Sequence, residues 1–558
     1  MKKIDWNYLI ITVLAALFFL PFLGHVHLFD WDEINFAECA REMLITGDYL
    51  RPQINFAPFW EKPPLFIWFQ AISMHFFGIN EFAARLPNAV CGLTTLLVIY
   101  YLGKGLYDKT FGWVWVLAYI GSILPHLYFK SGIIDPWFNL FIFLSLIFLI
   151  KDEKTITEGQ TANTESQNDS SFIIHHSSLI IGGIFSGLAI LTKGPVGFLI
   201  LALTWATKLL IFKELNILKI KRFFVFGCIA LLTALLWFGI EILKNGTWFV
   251  NEFITYTIRL AKTEDAGHGG FFGYHFVVLF FGCFPASIFA LRALLRGYNF
   301  FGENVNFSRW MKVLFWVVLI LFSIVQSKIV HYSSMCYLPL TFLSAIAIKS
   351  FIENNGQTAK WVKVLTISVG VLLGIVIAAV PFIGQHIAIL KSLAAKDPFA
   401  LKNMDAEVIW TGQEAVVGLF LILTCLALPF VIKKFGLLRG VRTLFLGTAI
   451  FLQLVLLFYV KNIEGYSQRA ALDFYESKQT EDCYIQTYGF KSYAHLFYSH
   501  LRQPTNPNYI KNDWLLRGGD VDKPTYFVGK IDDLEEMNHI ETLQFLYEKN
   551  GFVFFTRL

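Results

Sequence analysis

Apolar residues dominate this chain in long runs separated by short polar stretches as far as about residue 460, where the pattern changes. A membrane-crossing helix takes about 20 mostly apolar residues. On that length the pattern predicts spans over 6–24, 82–103, 111–129, 134–150, 178–193, 195–212, 223–242, 272–295, 311–327, 332–349, 362–383, 414–433 and 441–459, about thirteen in all. The apolar segment 64–78 is short, follows Pro63 and contains Pro64 and His75, and so reads as a re-entrant or interfacial piece. The polar, low-complexity stretch 151–177 predicts a disordered loop, in which His175 and His176 read as ordinary loop residues rather than a metal pair. From 461 onward, CYIQTYGF, TYFVGK and FVFFTRL have the pattern of strands, and LDFYESK and DLEEMNHIETLQFLYEKN that of helices. The expected architecture is a polytopic α-helical membrane domain, 1–460, followed by a C-terminal α/β domain, 461–558, acting as a lid, docking or stabilising unit.

Composition excludes a soluble protein. The chain is 56% hydrophobic and 16% charged, where soluble domains carry about 25% charged residues. A net charge of +5 gives no reason to expect nucleic acid. Most of the seven cysteines sit inside apolar runs and no CxxC occurs, so no disulfide framework is indicated. The first run begins with Lys2 and Lys3 but meets no small-residue cleavage site, which favours a retained helix. Placing that end in the cytoplasm puts a Lys/Arg excess in every inner loop, from Lys104 and Lys109 through Lys219, Lys221 and Arg222 to Arg439 and Arg442. The C-terminal domain then falls on the outer side.

On this topology the unusual polar residues collect at the outer face. They are Asp32 and Glu33, Glu61 and Lys62, Asp135, Lys193, His268, and Lys328 with His331 and Tyr332. Ionisable residues at such a boundary mark sites or pathways, and outward lysines suit an anionic head group. Structural roles compete with this. Asp30 reads as a helix cap; Asp32 and Glu33 would also be favourable at a helix start. Glu38, Arg41 and Glu42 are spaced to pair with one another on a solvated helix face. Asp135 before Pro136 has the form of an N-cap, and Lys193 could reach the interface by snorkelling, although the following Gly-Pro suggests a fixed turn.

The order DE, ECAREM, GDY and EKPPL, then IIDP, LTKGP and SKIVHY, resembles the membrane glycosyltransferases of the GT-C type, within them the lipid A aminoarabinose transferases and protein O-mannosyltransferases. The motifs lie within residues 1–350. The resemblance implies a sugar donor carried on undecaprenyl phosphate and transfer on the periplasmic side of a bacterial inner membrane. It implies catalytic roles for Asp32 and Asp135, and donor-phosphate contacts from Lys62 and Lys193, to which Lys328 is added. Glu33, Asn35, His331 and Tyr332 are expected around the acceptor and sugar. Glu61 with His268, or with His275, would be a metal pair for zinc or a similar divalent ion. Asn35 departs from the Arg usual three residues after the catalytic Asp in aminoarabinose transferases. The acceptor is left open among lipid A, glycan and protein. A transporter or flippase of a lipid-linked substrate, or a polysaccharide ligase or polymerase, are the competing readings.

Overall fold

The computed structural model describes all residues except 1–4, 162–168, 264–268, 298–303, 357, 394–395, 512, 519 and 558. Every apolar run is helical, but length divides them. Among the described residues, seven helices are long and apolar enough to cross a membrane: Glu81–Leu106, Ile217–Asn245, Val305–Ile324, Val330–Glu353, Lys360–Gln385, Ala415–Phe435 and Leu437–Gly465. An eighth is gained if Lys109–Ile120 and Ile123–Lys130, bent by 82° at their junction, count as one. By length and composition this gives seven or eight candidate spans, beside several shorter apolar helices, against the about thirteen read from the pattern. Trp6–Phe19 has 14 residues, about 21 Å at the helical rise, and Leu65–Phe77, Ser177–Lys193 and Val196–Ile211 are short as well. The window 272–295 breaks into Tyr274–Gly282 and Ala286–Leu295 around Pro285. The stretch 151–177 also differs from expectation: helices run through to Thr161 and resume at Asp169.

Between the first two apolar helices stands Asp32–Thr46. Asp32 and Glu33 occupy its first turn, where the helix dipole favours anions. Gly47, at φ 70°, ends it in the left-handed conformation. Every residue from Glu33 to Met43 is buried, because the helix is covered by the C-terminal domain, with which it shares a hydrophobic core that includes Ile34, Ala37, Met43, Leu472, Phe497 and Phe554. The solvated face expected for Glu38, Arg41 and Glu42 does not exist. Arg41 instead donates to both oxygens of Glu38 (2.7 and 2.6 Å) and to the carbonyl of Leu501 (2.9 Å). Burial removes water, so the charges pair locally and one hydrogen bond is left to dock the domain.

The C-terminal domain holds a mixed four-stranded sheet in the order Tyr484–Thr487, Thr525–Lys530, Phe552–Arg557, Leu543–Lys549. The first pair is parallel and the others antiparallel. The helix expected over 533–550 is realised only as Leu534–Asn538; the rest is the strand Leu543–Lys549. Asn550 and Gly551, both at positive φ (48° and 79°), turn it back onto Phe552–Arg557. Asn-Gly between apolar runs is the sequence signal of such a hairpin.

Candidate active site

Four segments distant in sequence bring their polar residues to one place. Asp135 opens the helix Asp135–Thr161 and Lys193 closes Asp169–Lys193, which packs against it. Lys193 Nζ lies 2.6 Å from Asp135 Oδ1. After Lys193 the chain turns at Gly194, φ 95°, where a Cβ would meet the Phe253 ring at 2.3 Å; only glycine lets the helix Trp248–Lys262 approach so closely. His331 sits in the turn Val330–Cys336, its Nε2 3.3 Å from Asp32 Oδ2 and 3.8 Å from Asp135 Oδ2. Asn139, one turn beyond Asp135, donates to Ser334 Oγ (2.8 Å) and Tyr128 Oη (2.6 Å), clamping that turn to the helix. Lys193 also lies 5.1 Å from the centre of the Tyr332 ring. The result is a chain of charge, Asp32–His331–Asp135–Lys193.

Burial differs along it. The Asp135 side chain is 3% exposed and that of Asp32 30%, so Asp32 is the carboxylate presented outward. Burial pushes the Asp32 carboxyl up, but the His331 imidazole, with Lys62 and Lys193 behind it, outweighs this and holds it at about 2. Asp32 is ionised over the whole physiological range. Lys62 is drawn below the usual lysine value by burial, with Glu61 and Asp32 opposing. Its ammonium stands 4.7 Å over the Tyr256 ring, 3.4 Å from the phenol oxygen, and Arg259 faces the same ring at 5.3 Å. Lys62 and Lys193, with Arg259 beside them, present cations around the carboxylates.

Several expected site residues have other contacts. Glu33 is buried and pairs with Arg85 (2.9 and 2.7 Å). It also accepts from the backbone N–H groups of Phe29 (2.9 Å) and Gly132. Since Gly132 lies three residues before Asp135, Glu33 ties the Asp32 helix to the loop that carries the second aspartate. Lys328 donates to the carbonyls of Phe322 (3.2 Å), Ser323 (2.8 Å) and Val325, closing the end of Val305–Ile324. Asn35 is buried; with its amide oriented to satisfy both groups it donates to the Trp31 carbonyl (3.1 Å) and accepts from Trp31 Nε1 (3.0 Å). It therefore holds the indole next to Asp32. Asp30 caps nothing: Trp31 is the N-cap residue and makes no side-chain cap bond. Burial raises the Asp30 carboxyl to about 6, with Ser492 opposing.

His268 lies outside the described residues. His275 is buried, 3.1 Å from Ser333 Oγ. Among the described residues Glu61 belongs to no group of three metal-ligand side chains.

Sequence reading missed Tyr256, Arg259, Asn139 and the roof of the site. The helix WFVNEFITYTIRLAK is amphipathic and basic at its end, a usable signal for Tyr256 and Arg259. Nothing in the sequence marks the roof, where Lys491 of the C-terminal domain lies 4.6 Å over the Trp31 ring and Tyr493 packs on it at 5.6 Å.

Residues 61–157, which include Lys62 and Asp135, match the family model of dolichyl-phosphate-mannose-protein mannosyltransferases. Two undecaprenyl phosphate-alpha-4-amino-4-deoxy-L-arabinose arabinosyl transferases are similar along much of the chain. The one from Yersinia enterocolitica is 26% identical over 60% of this chain and 58% of its own length. The one from Edwardsiella ictaluri is 25% identical over 66% and 64%. The chain thus spans about three fifths of the length of the curated relatives it matches. ArnT from Cupriavidus metallidurans, solved bound to undecaprenyl phosphate, superposes over 100% of this chain and 99% of its own with a TM-score of 0.76 at 16% identity. In sequence the chain is similar to these arabinosyl transferases, and in fold to ArnT. At that identity the structural likeness speaks for the fold, and it covers the C-terminal domain as well as the helices.

Proposed function

We propose that this protein is a membrane glycosyltransferase that moves a sugar from undecaprenyl phosphate to an acceptor of the bacterial cell envelope, at the outer face of the inner membrane. The observation that carries the reading is the meeting of Asp32, Asp135, Lys193 and His331, with Lys62 alongside, at the ends of helices distant in sequence. The relatives' donor, an undecaprenyl-phosphate-linked sugar, fits the chemistry of that cluster. The ligase and polymerase readings share the cluster but take a lipid-linked oligosaccharide. The transporter reading has no support in charges held at helix ends rather than along them.

The reaction proceeds by attack of the acceptor oxygen on the anomeric carbon, with inversion. The bond from that carbon to the phosphate oxygen breaks, and its electron pair leaves with undecaprenyl phosphate. A phosphate is already a good leaving group, so the enzyme's contribution is charge stabilisation: Lys62 and Lys193 lie where the growing negative charge is placed. When the donor phosphate draws those cations, Asp32 loses part of what holds its carboxyl down and becomes the better proton acceptor for an acceptor hydroxyl. His331 keeps Asp32 oriented, and Asp135 fixes Lys193. Exposed Lys491 over Trp31 offers a cation to an acceptor carrying phosphate, as an envelope glycolipid such as lipid A would.

The test is transfer by the purified protein in detergent, with radiolabelled undecaprenyl-phosphate sugars as donors and lipid A, envelope glycan and envelope protein as separate acceptors. Label in one acceptor, abolished by Asp32→Asn, supports the reading. Lipid movement in vesicles without transfer overturns it.

A further inference from the structure

A second cluster of ligand-type side chains has no part in the chemistry above. His27 lies in the segment leading to Asp32, Glu81 begins the helix Glu81–Leu106, and Glu476 belongs to the helix Arg469–Ser477 of the C-terminal domain. One ligand atom from each lies within 4.8 Å of the other two. The other ring nitrogen of His27, Nδ1, is 2.7 Å from Oε1 of Glu464, whose side chain is fully buried. This is how proteins prepare a histidine for a metal: the far nitrogen gives its proton to a buried carboxylate, which fixes the ring and sends the lone pair of the near nitrogen outward. Here Nε2 faces Glu476 Oε1 at 3.2 Å. With Nδ1–H donated to Glu464, a lone pair faces a carboxylate oxygen, a repulsive contact unless a cation stands between them.

The neighbouring cations are committed. Arg85 pairs with Glu33 and donates to the carbonyls of Leu23, Val26 and His27. Arg469 pairs with Glu464. Among the described ion pairs neither Glu81 nor Glu476 meets a Lys or Arg, and Glu81 hydrogen-bonds the Tyr498 side chain. The Tyr498 ring meets His27 edge-on at 5.2 Å and its hydroxyl accepts from the Leu28 N–H.

We infer that His27, Glu81 and Glu476 bind a divalent transition cation, of the zinc class, that staples the C-terminal domain to the segment leading into the active site. One imidazole with two carboxylates suits zinc rather than the all-oxygen sites of calcium, and leaves a fourth position to water. The staple acts beside an existing seam, where Gln468 donates to the Leu28 carbonyl at 2.7 Å. It thereby anchors the chain five residues before Asp32.

The test uses the full-length protein in detergent, stripped with a chelator and titrated with zinc chloride, with cobalt as a spectroscopic substitute. One equivalent of zinc should bind and raise the melting temperature. That equivalent, and the cobalt d–d bands, should be lost in His27→Ala and in the near-isosteric Glu476→Gln, and kept in Glu61→Gln. Equal zinc stoichiometry and equal thermal shift in wild type and Glu476→Gln overturn the site. A melting temperature that depends on pH through His27, without zinc binding, also overturns it in favour of an imidazolium bridge.

Discussion

The helix Asp135–Thr161 carries a charged cluster near each end, and the two are built differently. Asp135 stands at its start; Asp152 and Glu153 lie about 26 Å further along at the helical rise. At the far cluster the charges close on themselves. Lys208, fully buried, donates to Glu153 (2.6 Å) and to Glu214, and Lys219 to the same two carboxylates (2.8 and 3.1 Å). Trp310 Nε1 donates to Glu153 as well (3.0 Å), and Arg222 to both oxygens of Asp152. At the near cluster the contacts are fewer and looser. Asp135 Oδ2 and His331 Nε2 have no hydrogen bond though they face each other, and Asp32 is half-buried. A buried ion network that satisfies every group rigidifies, whereas unmatched groups mark a candidate functional site. The same residue types on one helix thus hold the bundle together at one end and, on the proposed function, meet the donor phosphate at the other.

Substitutions should separate the two ends. The largest effect is expected from Asp32→Asn, which should lower the transfer rate by about 10²–10⁴-fold, the usual worth of a general base, with an unchanged melting temperature. An Asp32→Asn protein that unfolds early would make the near cluster structural and erase the contrast. At the far end, Lys208→Met should leave buried Glu153 and partly exposed Glu214 with one cation fewer but still paired to Lys219, and lower stability by less than the about 3–5 kcal/mol of a wholly unpaired buried charge. Calorimetry should show the loss, while the KM of the folded fraction stays at the wild-type value.

How much of this was legible in the sequence follows from the range of each interaction. Asp32, Lys62, Asp135, Lys193 and His331 could be named because charge next to apolar runs is costly wherever it occurs. Glu33 and Lys328 look the same by that criterion, yet one clamps Arg85 and Gly132 and the other closes a helix. Which lysine meets a substrate and which meets carbonyls depends on contacts between segments. The pattern counts more spans than pass on helix length because hydropathy does not measure length: Trp6–Phe19 and the two helices around Pro285 are apolar but short. The misread strand Leu543–Lys549 had its signal in Asn550–Gly551, overridden by helix-forming residues before it.

A finer break in the comparison comes from pH. His331 is the leading group that holds Asp32 down against the upward push of burial. His331→Asn should therefore raise the Asp32 carboxyl and move the acid limb of the rate profile upward, from below pH 4 toward the ordinary carboxylate range or above it. A kcat/KM profile with an unmoved acid limb would show that Asp32 owes its state to Lys62 and Lys193 instead.

The smallest effect concerns the joint between the C-terminal domain and the helix Asp32–Thr46. Glu42 is buried beside Glu38; burial first, then the Glu38 charge, raises its carboxyl to about 9, against the Phe56 N–H and Arg41. The folded protein therefore keeps a proton that the unfolded chain releases near pH 4.5. Its contribution is complete below that value and declines as pH rises toward about 9, because the unfolded chain has shed a proton that the folded one still holds. The melting temperature should fall over this interval, and the slope should flatten in Glu42→Gln, whose amide keeps the volume and cannot ionise. Since Arg41 holds Leu501 through the same cluster, limited proteolysis should show the domain loosening at high pH in wild type and not in Glu42→Gln. An identical slope in both proteins would assign the pH response elsewhere and leave the joint as inert as the far end of Asp135–Thr161.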